Sequence, residues 1–231
     1  MKRIGVIGGL SWISTADYYR RLNELTQQRL GGVHSVPLVL ASVDRQDYVD
    51  AVINAQDEDA ACQIILDAAR AVEQGGAEFI VISCNDVHRF VPAIEPQIGI
   101  PFLHIAEATA QAIGQDGLKS VALLGVRKTM EETFYPDILN RHGIATIIPD
   151  EEEKTYIHDS IYEELVKDIF RDETRARYAE IIRTLKTRGA EGVILACTEI
   201  PLLIGTDDVD VTTFSTTEIH CRAAVEKAAG P

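Results

Sequence analysis

Two cysteines occupy matching places in two similar stretches of the chain. Residues 76–84 read GAEFIVISC and residues 189–197 read GAEGVILAC, so four residue types recur at the same offsets. Cys84 and Cys197 each stand at the end of an apolar run that is typical of a strand buried on both faces. A GAE junction is also a common way to leave a helix and enter a strand, but the coincident cysteines favour an internal duplication. Ligands of parallel α/β sheets bind beyond the carboxyl ends of the strands, so both thiols are expected at a ligand-binding edge.

A pair of thiols suits the inversion of a carbon that carries an acidic hydrogen. One thiolate removes the proton from one face, a thiol returns a proton to the other face, and the roles swap in the reverse direction. Each cysteine precedes an expected helix start, Asn85-Asp86 or Thr198-Glu199, where free backbone N–H groups stabilise a thiolate. The other reading of a cysteine is a small buried hydrophobe, and we assign it to Cys62 and Cys221, which lie in helical stretches.

The elements that must position these thiols alternate along the chain. Apolar runs predict seven strands, at 4–7, 36–43, 78–83, 120–124, 145–148, 192–196 and 211–214. An apolar stripe between Asp57 and Gly75-Gly76 predicts a helix over 57–75. The sequence TMEE at 129–132 predicts a capping box that opens another helix. The acidic run 150–153 predicts a solvated loop before a helix. The alternation predicts an α/β fold with mainly parallel sheets in two pseudo-equivalent domains, 1–115 plus 211–231 and 116–210, with the active site in the cleft between them.

Composition excludes several classes of protein. The 231 residues include 22 Lys+Arg and 36 Asp+Glu, a net charge of −14, which argues against a general nucleic-acid binder. No apolar run approaches the roughly 18 residues of a membrane span, and glycines interrupt the apolar N-terminus too soon for a signal peptide. Four scattered cysteines predict the reducing cytoplasm. No histidine pair has metal-ligand spacing and GxGxxG is absent, so neither metal nor dinucleotide is expected.

Several motifs in chain order resemble those of one enzyme family. They are IGVIGGLSW (4–12), LGGVHS (30–35), SCNDVH (83–88), IPFLHIAEAT (100–109), LLGVRKTMEETFY (123–135), IYEEL (161–165), GAEGVILACTEIPLL (189–203) and TTEIHCRAAV (216–225). Together they resemble the aspartate/glutamate racemase family of cofactor-independent, two-cysteine amino-acid racemases. The resemblance implies a two-domain fold, catalytic Cys84 and Cys197, an amino-acid substrate, no cofactor and a homodimer.

The resemblance also implies roles for residues beside the thiols. Gly9 and Ser11 would line the carboxylate pocket, Asn85 would bind substrate beside Cys84, and Thr129 and Thr198 would help to hold the carboxylate. The predicted substrate-binding set is completed by Asp86, Tyr156 and Glu199, with Tyr156 expected to close over the ligand. His88 lies one helical turn after Cys84 and could tune the thiol, although a structural role is the preferred interpretation.

Two departures from the family pattern bear on specificity. Asp86 stands where the family has a threonine that donates to a substrate carboxylate, and an ionised aspartate can only accept. Tyr156 stands where the family tends to carry a lysine. Both changes favour a substrate with a neutral polar or cationic side chain. The alternative is an aspartate or glutamate racemase in which Lys154 or Arg45 replaces the lost cation.

Two further readings stay open. One is a related decarboxylase or isomerase, although the presence of both cysteines favours racemisation because a decarboxylase needs a single proton donor. The other is an inactive ligand-binding member of the fold, since the negative charge of Asp86 would disfavour a thiolate at Cys84.

Overall fold

The computed structural model describes residues 1–230, which form two compact units. Unit 1 comprises Met1–Ile105 and the segment from His220 onward, and unit 2 comprises Ala106–Ile219. Both units contain parallel sheets with helices in the connections, which confirms the predicted α/β class. Within residues 1–230, no helix combines the length and the apolarity that a membrane crossing requires.

Unit 1 is built on a three-stranded parallel sheet. Its order is β2-β1-β3, with β1 at Ile4–Gly8, β2 at Leu38–Ser42 and β3 at Phe79–Ile82. The central strand β1 and the strand β3 are buried along their whole length, which is why both appear in the sequence as unbroken apolar runs. The helices of this unit are α1 (Trp12–Leu30), α2 (Arg45–Val49), α3 (Glu58–Gln74) and α4 (Val91–Ile94). A π-helical turn covers Asp50–Asn54, and 3-10 turns cover Asp86–Phe90 and Glu95–Gln97.

Helix α3 forms where its caps and its apolar stripe place it. The side chain of Asp57 accepts a hydrogen bond from the backbone N of Ala60 at 2.9 Å and caps the first turn. Side chains such as Ile65 and Val72 are fully buried in the core of unit 1. The chain leaves the helix through Gly75 and then Gly76, whose φ of +82° favours glycine. The helix predicted over 57–75 is confirmed.

Unit 2 is built on a four-stranded parallel sheet. Its order is β5-β4-β6-β7, with β4 at Ser120–Leu124, β5 at Ala145–Ile147, β6 at Gly192–Leu195 and β7 at Thr212–Ser215. The remaining helices are α5 (Ile105–Gln115), α6 (Arg127–Glu131), α7 (Phe134–Arg141), α8 (Glu151–Glu163), α9 (Asp172–Thr187), α10 (Ile200–Leu203) and α11 (Thr216–Ala229). A 3-10 turn at Leu165–Lys167 follows α8. The seven predicted strands are all present, with ends that differ by a few residues at most.

The internal echo of the sequence has a structural counterpart. In each unit the first strand is central and lies between the second and the third. The glutamate of each GAE motif binds the chain entering that central strand: Glu78 Oε2 accepts from Arg3 N at 2.7 Å, and Glu191 Oε2 accepts from Lys119 N at 2.6 Å. The two motifs therefore perform the same task in the two units, which supports the duplication.

The boundaries of the two units differ from the predicted boundaries near residues 115 and 211. Strand β7 pairs with β6, with Thr212 opposite Gly192, so the stretch from 211 to Ile219 belongs to unit 2 and not to the first domain. Helix α5 also belongs to unit 2, because Glu107 binds Arg141 and His142 at the end of α7. The chain returns to unit 1 at His220, and residue 231 lies outside the described residues.

Two local predictions are wrong. Thr129 does not cap a helix but lies buried inside α6, because the capping pattern at 129–132 also fits a helix interior. The acidic run 150–153 is not a loop before a helix. Asp150 accepts from Glu153 N at 2.9 Å and Glu153 accepts from Asp150 N at 3.1 Å, so a capping box starts α8 within the run.

Candidate functional site

Cys84 lies two residues after the end of β3 and is half-buried at the carboxyl edge of the sheet of unit 1. The preceding residue, Ser83, is fully buried. Its backbone N donates to the carbonyl of Ile7 at 2.9 Å, and its hydroxyl lies 3.1 Å from Thr15 Oγ1. On the other side, the carbonyl of Cys84 accepts a hydrogen bond from His88 Nδ1 at 2.8 Å. The backbone around this thiol is therefore held at two points.

The glycine-rich loop follows the central strand at the same edge. Gly9 has a φ of +88°, and a Cβ there would lie 2.0 Å from the carbonyl oxygen of Val43, so the position requires glycine. The backbone N of Gly9 donates to Thr15 Oγ1 at 3.0 Å. Ser11 is the N-cap of α1, and its hydroxyl accepts from Ser14 N at 3.4 Å. The loop is thus shaped by backbone approach and by the start of α1.

Asp86 is engaged by partners that sequence reasoning did not identify. Its Oδ2 atom accepts from the hydroxyl of Tyr48 at 3.0 Å and forms an ion pair with Arg89 at 2.5 Å. Arg89 also pairs with Glu58 at 2.9 Å. Burial opposes the charge of Arg89, but Asp86 and Glu58 outweigh that effect and keep its pKa raised. The negative charge of Asp86 is therefore compensated by Arg89 within unit 1.

The other oxygen of Asp86 and the side chain of Asn85 complete the set of predicted site groups in unit 1. Asp86 Oδ1 is buried and has no hydrogen-bond partner among residues 1–230. Asn85, which stands between Cys84 and Asp86, is almost entirely buried. This oxygen of Asp86 is thus an acceptor with unused capacity, two residues after Cys84 in the chain.

Cys197 occupies the corresponding place in unit 2, two residues after the end of β6. Its Sγ donates a hydrogen bond to Glu199 Oε2 at 3.1 Å, and Thr198 Oγ1 donates to the same oxygen at 2.8 Å. Glu199 is only 2% exposed, so this carboxylate is a buried acceptor for the thiol proton. In this arrangement Cys197 carries its proton.

Buried hydroxyls follow both strands that flank β6. Thr129 comes after β4 and is fully buried, and Thr217 comes after β7 and is 2% exposed. The Oγ1 atoms of both have no hydrogen-bond partner among residues 1–230, which is unusual for buried polar groups. Thr129 was predicted as a site residue. Thr217 was not, although a pair of threonines directly after a strand is a signal that could have found it.

Tyr156 lies on α8 and is half-buried. Its ring meets that of Tyr178 edge to face at a centroid distance of 6.4 Å, and the guanidinium of Arg177 lies 5.9 Å from its centroid. It lines a cavity of about 700 Å³ together with Arg177 and two hydroxyl-bearing residues, Thr155 and Ser160. Five carboxylates complete the lining, namely Glu151, Glu152, Asp159, Glu163 and Glu164. This cavity has a strongly acidic wall.

Tyr178 connects Tyr156 with the surroundings of Cys197. Its hydroxyl lies 3.0 Å from the hydroxyl of Ser160, which also lines the acidic cavity. Burial raises the pKa of Tyr178, the hydrogen bond with Ser160 partly offsets that rise, and the nearby acidic groups Cys197 and Glu164 raise the pKa further. By contrast, Lys154 is held by Glu131 at 2.6 Å and by Glu151 at 2.8 Å.

The predicted site residues thus fall into two groups, one in each unit. The first group is Gly9, Ser11, Cys84, Asn85 and Asp86, and the second is Thr129, Tyr156, Cys197, Thr198 and Glu199. Within residues 1–230, no group of three or more His, Cys, Asp and Glu side chains is arranged to hold a metal ion. The fold and site therefore define an α/β protein of two parallel-sheet units, each with a cysteine outside any disulfide after its third strand.

A sequence model of the Asp/Glu/Hydantoin racemase family matches residues 7–224, and the chain belongs to this family. Among curated proteins, it is 27% identical over 150 residues to the broad specificity amino-acid racemase RacX of Bacillus subtilis strain 168. That match covers 64% of this chain and 64% of RacX, which is just under two thirds of each.

Solved structures agree over the full length. A candidate Asp/Glu racemase from Yersinia pestis is 40% identical with a TM-score of 0.92, and all of both chains is covered. PH1733, an aspartate racemase homologue from Pyrococcus horikoshii OT3, is 32% identical with a TM-score of 0.86, again over all of both chains. The aspartate racemase of Picrophilus torridus, at 23% identity and a TM-score of 0.80 over 99% of this chain and 95% of that one, shares the fold.

Proposed function

We propose that this protein is an amino-acid racemase that needs no pyridoxal phosphate and moves protons with Cys84 and Cys197. The observation that carries the proposal is the equivalent placement of the two cysteines, each two residues beyond the end of the third strand of its unit. Racemisation by two bases requires the two sulfurs to reach opposite faces of the same Cα. Duplicated units supply one sulfur each, which meets the first requirement of that chemistry.

The hydrogen bond at Cys197 supports an assignment of starting roles. Since its thiol donates to Glu199, and since a carboxylate 3.1 Å away disfavours a second negative charge on sulfur, Cys197 is the acid at the outset. Cys84 as thiolate then removes the Cα proton, the electron pair moves into the substrate carboxylate, and the Cys197 thiol protonates the opposite face. The product form of the enzyme has the thiol at Cys84 and the thiolate at Cys197, ready for the reverse reaction.

The developing negative charge of the substrate carboxylate needs hydrogen-bond donors. We assign this task to Asn85, which follows Cys84 directly, and to the hydroxyl of Thr129. Thr198, which follows Cys197, would join them when its hydroxyl turns from Glu199 Oε2 to the substrate. The buried Oγ1 of Thr129, which has no partner within residues 1–230, supports this role because a substrate oxygen would satisfy it. The backbone of the loop at Gly9 and Ser11 would complete the carboxylate pocket.

We further propose a substrate with a neutral polar or cationic side chain. Asp86 Oδ1 can accept a hydrogen bond from a hydroxyl or an ammonium group but cannot donate to a carboxylate. The cavity beside Tyr156 has five carboxylates against one guanidinium, which favours cations. The broad specificity in the name of RacX is compatible with a side chain that is not acidic.

An aspartate or glutamate racemase is the second candidate, and one contact favours it. Arg89 compensates the negative charge of Asp86, so a substrate carboxylate near Asp86 would not meet an unpaired negative charge. Lys154, expected in this reading to replace the missing cation, is instead engaged by Glu131 and Glu151. Arg45, the other cation expected in this interpretation, lies in the first turn of α2.

Proton NMR in D2O tests both candidates directly. The purified protein is incubated with single L-amino acids without pyridoxal phosphate, and loss of the Cα–H resonance is followed for aspartate, glutamate, homoserine, serine, lysine, ornithine and arginine. We expect exchange of the neutral or basic substrates, abolished by Cys84→Ala and by Cys197→Ala. Cys62→Ala is the matched control and should retain exchange, since Cys62 lies within α3.

Each other outcome has a definite meaning. Preference for aspartate or glutamate would favour the second candidate. Release of carbon dioxide with formation of an amine would indicate a decarboxylase, and the absence of exchange with every substrate would refute the racemase. A homodimer and a cytoplasmic location stay predictions, which sedimentation velocity and cell fractionation check.

A further inference from the structure

A cluster of three histidines lies in unit 1 behind Cys84, and the proposed proton transfer does not use it. His88 and His220 are fully buried, and the ring centroid of His88 lies 4.8 Å from that of His104 and 5.5 Å from that of His220. His220 Nε2 donates to the carbonyl of Leu103 at 2.8 Å, and its Nδ1 accepts from the hydroxyl of Tyr18 at 2.9 Å. These contacts tie the cluster to α1, to the segment before α5 and to α11.

The hydrogen bond from His88 defines its protonation. A carbonyl oxygen can only accept, so the Nδ1 atom that lies 2.8 Å from Cys84 O carries the hydrogen. The Nε2 atom is then an acceptor, and it is buried without a hydrogen-bond partner among residues 1–230. Burial lowers the pKa of His88 well below its ordinary value, and His104 and His220 lower it further. His88 is therefore a neutral donor with one fixed tautomer.

The bond acts on the backbone of the thiol-bearing residue. The residue before Cys84, Ser83, is bound to the carbonyl of Ile7 in the central strand, and the carbonyl of Cys84 itself is bound by His88. Together the two anchors define the direction in which the chain leaves β3, and hence where the Cβ–Sγ bond starts. A neutral imidazole adds no charge to stabilise a thiolate, so its effect is on position.

We propose that His88 is a positioning residue, which holds the Cys84 thiol in register with the substrate Cα by donating its Nδ1 proton to the Cys84 carbonyl. This inference rests on the proposed racemase function. A misplacement of about 1 Å in a reacting group can cost on the order of 10²-fold in rate. Loss of this donor should therefore lower kcat while KM changes little, because His88 is fully buried and is not part of the substrate-binding set.

A pair of variants of nearly equal shape separates the hydrogen bond from packing. His88→Asn places an amide N–H near the position of Nδ1, whereas His88→Leu has the same branching and no donor. We expect the rate of Cα–H exchange to fall on the order of 10²-fold in His88→Leu and to recover to within about threefold of wild type in His88→Asn. Equal losses in the two variants, or no loss in His88→Leu, would overturn the proposal.

Alkylation of individual cysteines, followed by mass spectrometry, reports whether the variants fold. In His88→Leu the Cys84 thiol should still react with iodoacetamide, because the thiol is present but misplaced. Cys221 is fully buried in unit 1 and should stay unreactive. Alkylation of Cys221 would show that the variant has unfolded. In that case the proposal is tested on the wild-type protein instead.

Nitrogen-15 histidine NMR of the wild-type protein provides that test without a mutation and without a substrate. We expect His88 to be neutral with the hydrogen on Nδ1 between about pH 6 and 8. The Nε2–H tautomer or a charged ring at pH 7 would refute the proposal. If the tautomer is as expected but no amino acid exchanges its Cα–H, the racemase proposal fails and the contact at Cys84 stands.

Discussion

Acid destabilisation of unit 1 through His220 can be worked out from its contacts. The ring is fully buried and is held by Leu103 and Tyr18 on its two nitrogens. Burial lowers the pKa of His220 from 6.5 to about 4. Above pH 6.5 the ring is neutral in both the folded and the unfolded chain. Between pH 6.5 and 4 only the unfolded chain takes up the proton, so the free energy of unfolding falls as the pH falls.

The magnitude follows from the two pKa values. At pH 5 the unfolded chain binds nearly one proton at this position and the folded chain only about a tenth of one. Relative to pH 7.5, the free energy of unfolding is lower by about 2 kcal/mol from His220 alone. His88, whose pKa is also lowered by burial, adds a loss in the same direction.

Urea unfolding, followed by circular dichroism at pH 7.5 and pH 5.0, measures how much the free energy of unfolding falls between these two pH values. His220→Gln keeps a donor for the Leu103 carbonyl but cannot titrate, so its loss of stability between the two pH values should be about 2 kcal/mol smaller than in wild type. The variant is less stable at both pH values, because the buried Tyr18 hydroxyl loses its acceptor, and only the difference between them is compared. His34→Gln is the control, since His34 is exposed. An identical pH dependence in wild type and His220→Gln would refute the reasoning.

Three further predictions address the loops and the second thiol. Gly9→Ala should abolish Cα–H exchange and destabilise the protein in urea by well over the roughly 1–3 kcal/mol that an alanine at positive φ costs, because the added Cβ would meet backbone. Gly31→Ala has a φ of +75° and no atom within 4 Å of the added Cβ, so it should show only the smaller cost, and equal costs would contradict the steric argument. Asp150→Ala should lower stability by about 1 kcal/mol and Asp150→Asn by much less, as measured by thermal unfolding, and an unaffected Asp150→Ala would show that the capping box contributes nothing. Glu199→Gln should shift the pH profile of Cys197 alkylation to lower pH, since a negative charge 3.1 Å from the sulfur is removed; an unchanged profile would argue against the assigned acid role.

Much of the architecture follows from local features of the sequence. Strands such as β3 and β6 are buried along their length, so their apolar runs identify them without any knowledge of their neighbours. Helix α3 is marked by the cap at Asp57 and by the glycines that end it. The recurrence of GAE and cysteine predicted two similar units. The prediction succeeded because the glutamate of each GAE motif binds the chain that enters the central strand of its unit.

Features that depend on distant partners could not be predicted in this way. Asp86 was interpreted from its charge alone, but the contacts of its carboxylate are made by Tyr48, which is 38 positions away, and by Arg89. The capping pattern at Thr129 was misleading, since short polar motifs fit a helix interior as well as a helix start. The boundary near 211 was wrong because strand pairing, which assigns β7 to unit 2, is not a property of β7 itself.

By itself, the sequence determined the class of fold, the order of the elements and the position of each cysteine after a buried strand. These features follow from local hydrophobic periodicity and from a repeated motif. Tertiary structure alone decided the environment of each thiol. The His88 side chain donates to the backbone carbonyl of Cys84 at 2.8 Å, and the Glu199 carboxylate accepts a hydrogen bond from the Cys197 thiol at 3.1 Å. Such distances depend on how the chain packs after each strand ends, and hydrogen bonds are decided by tenths of an ångström.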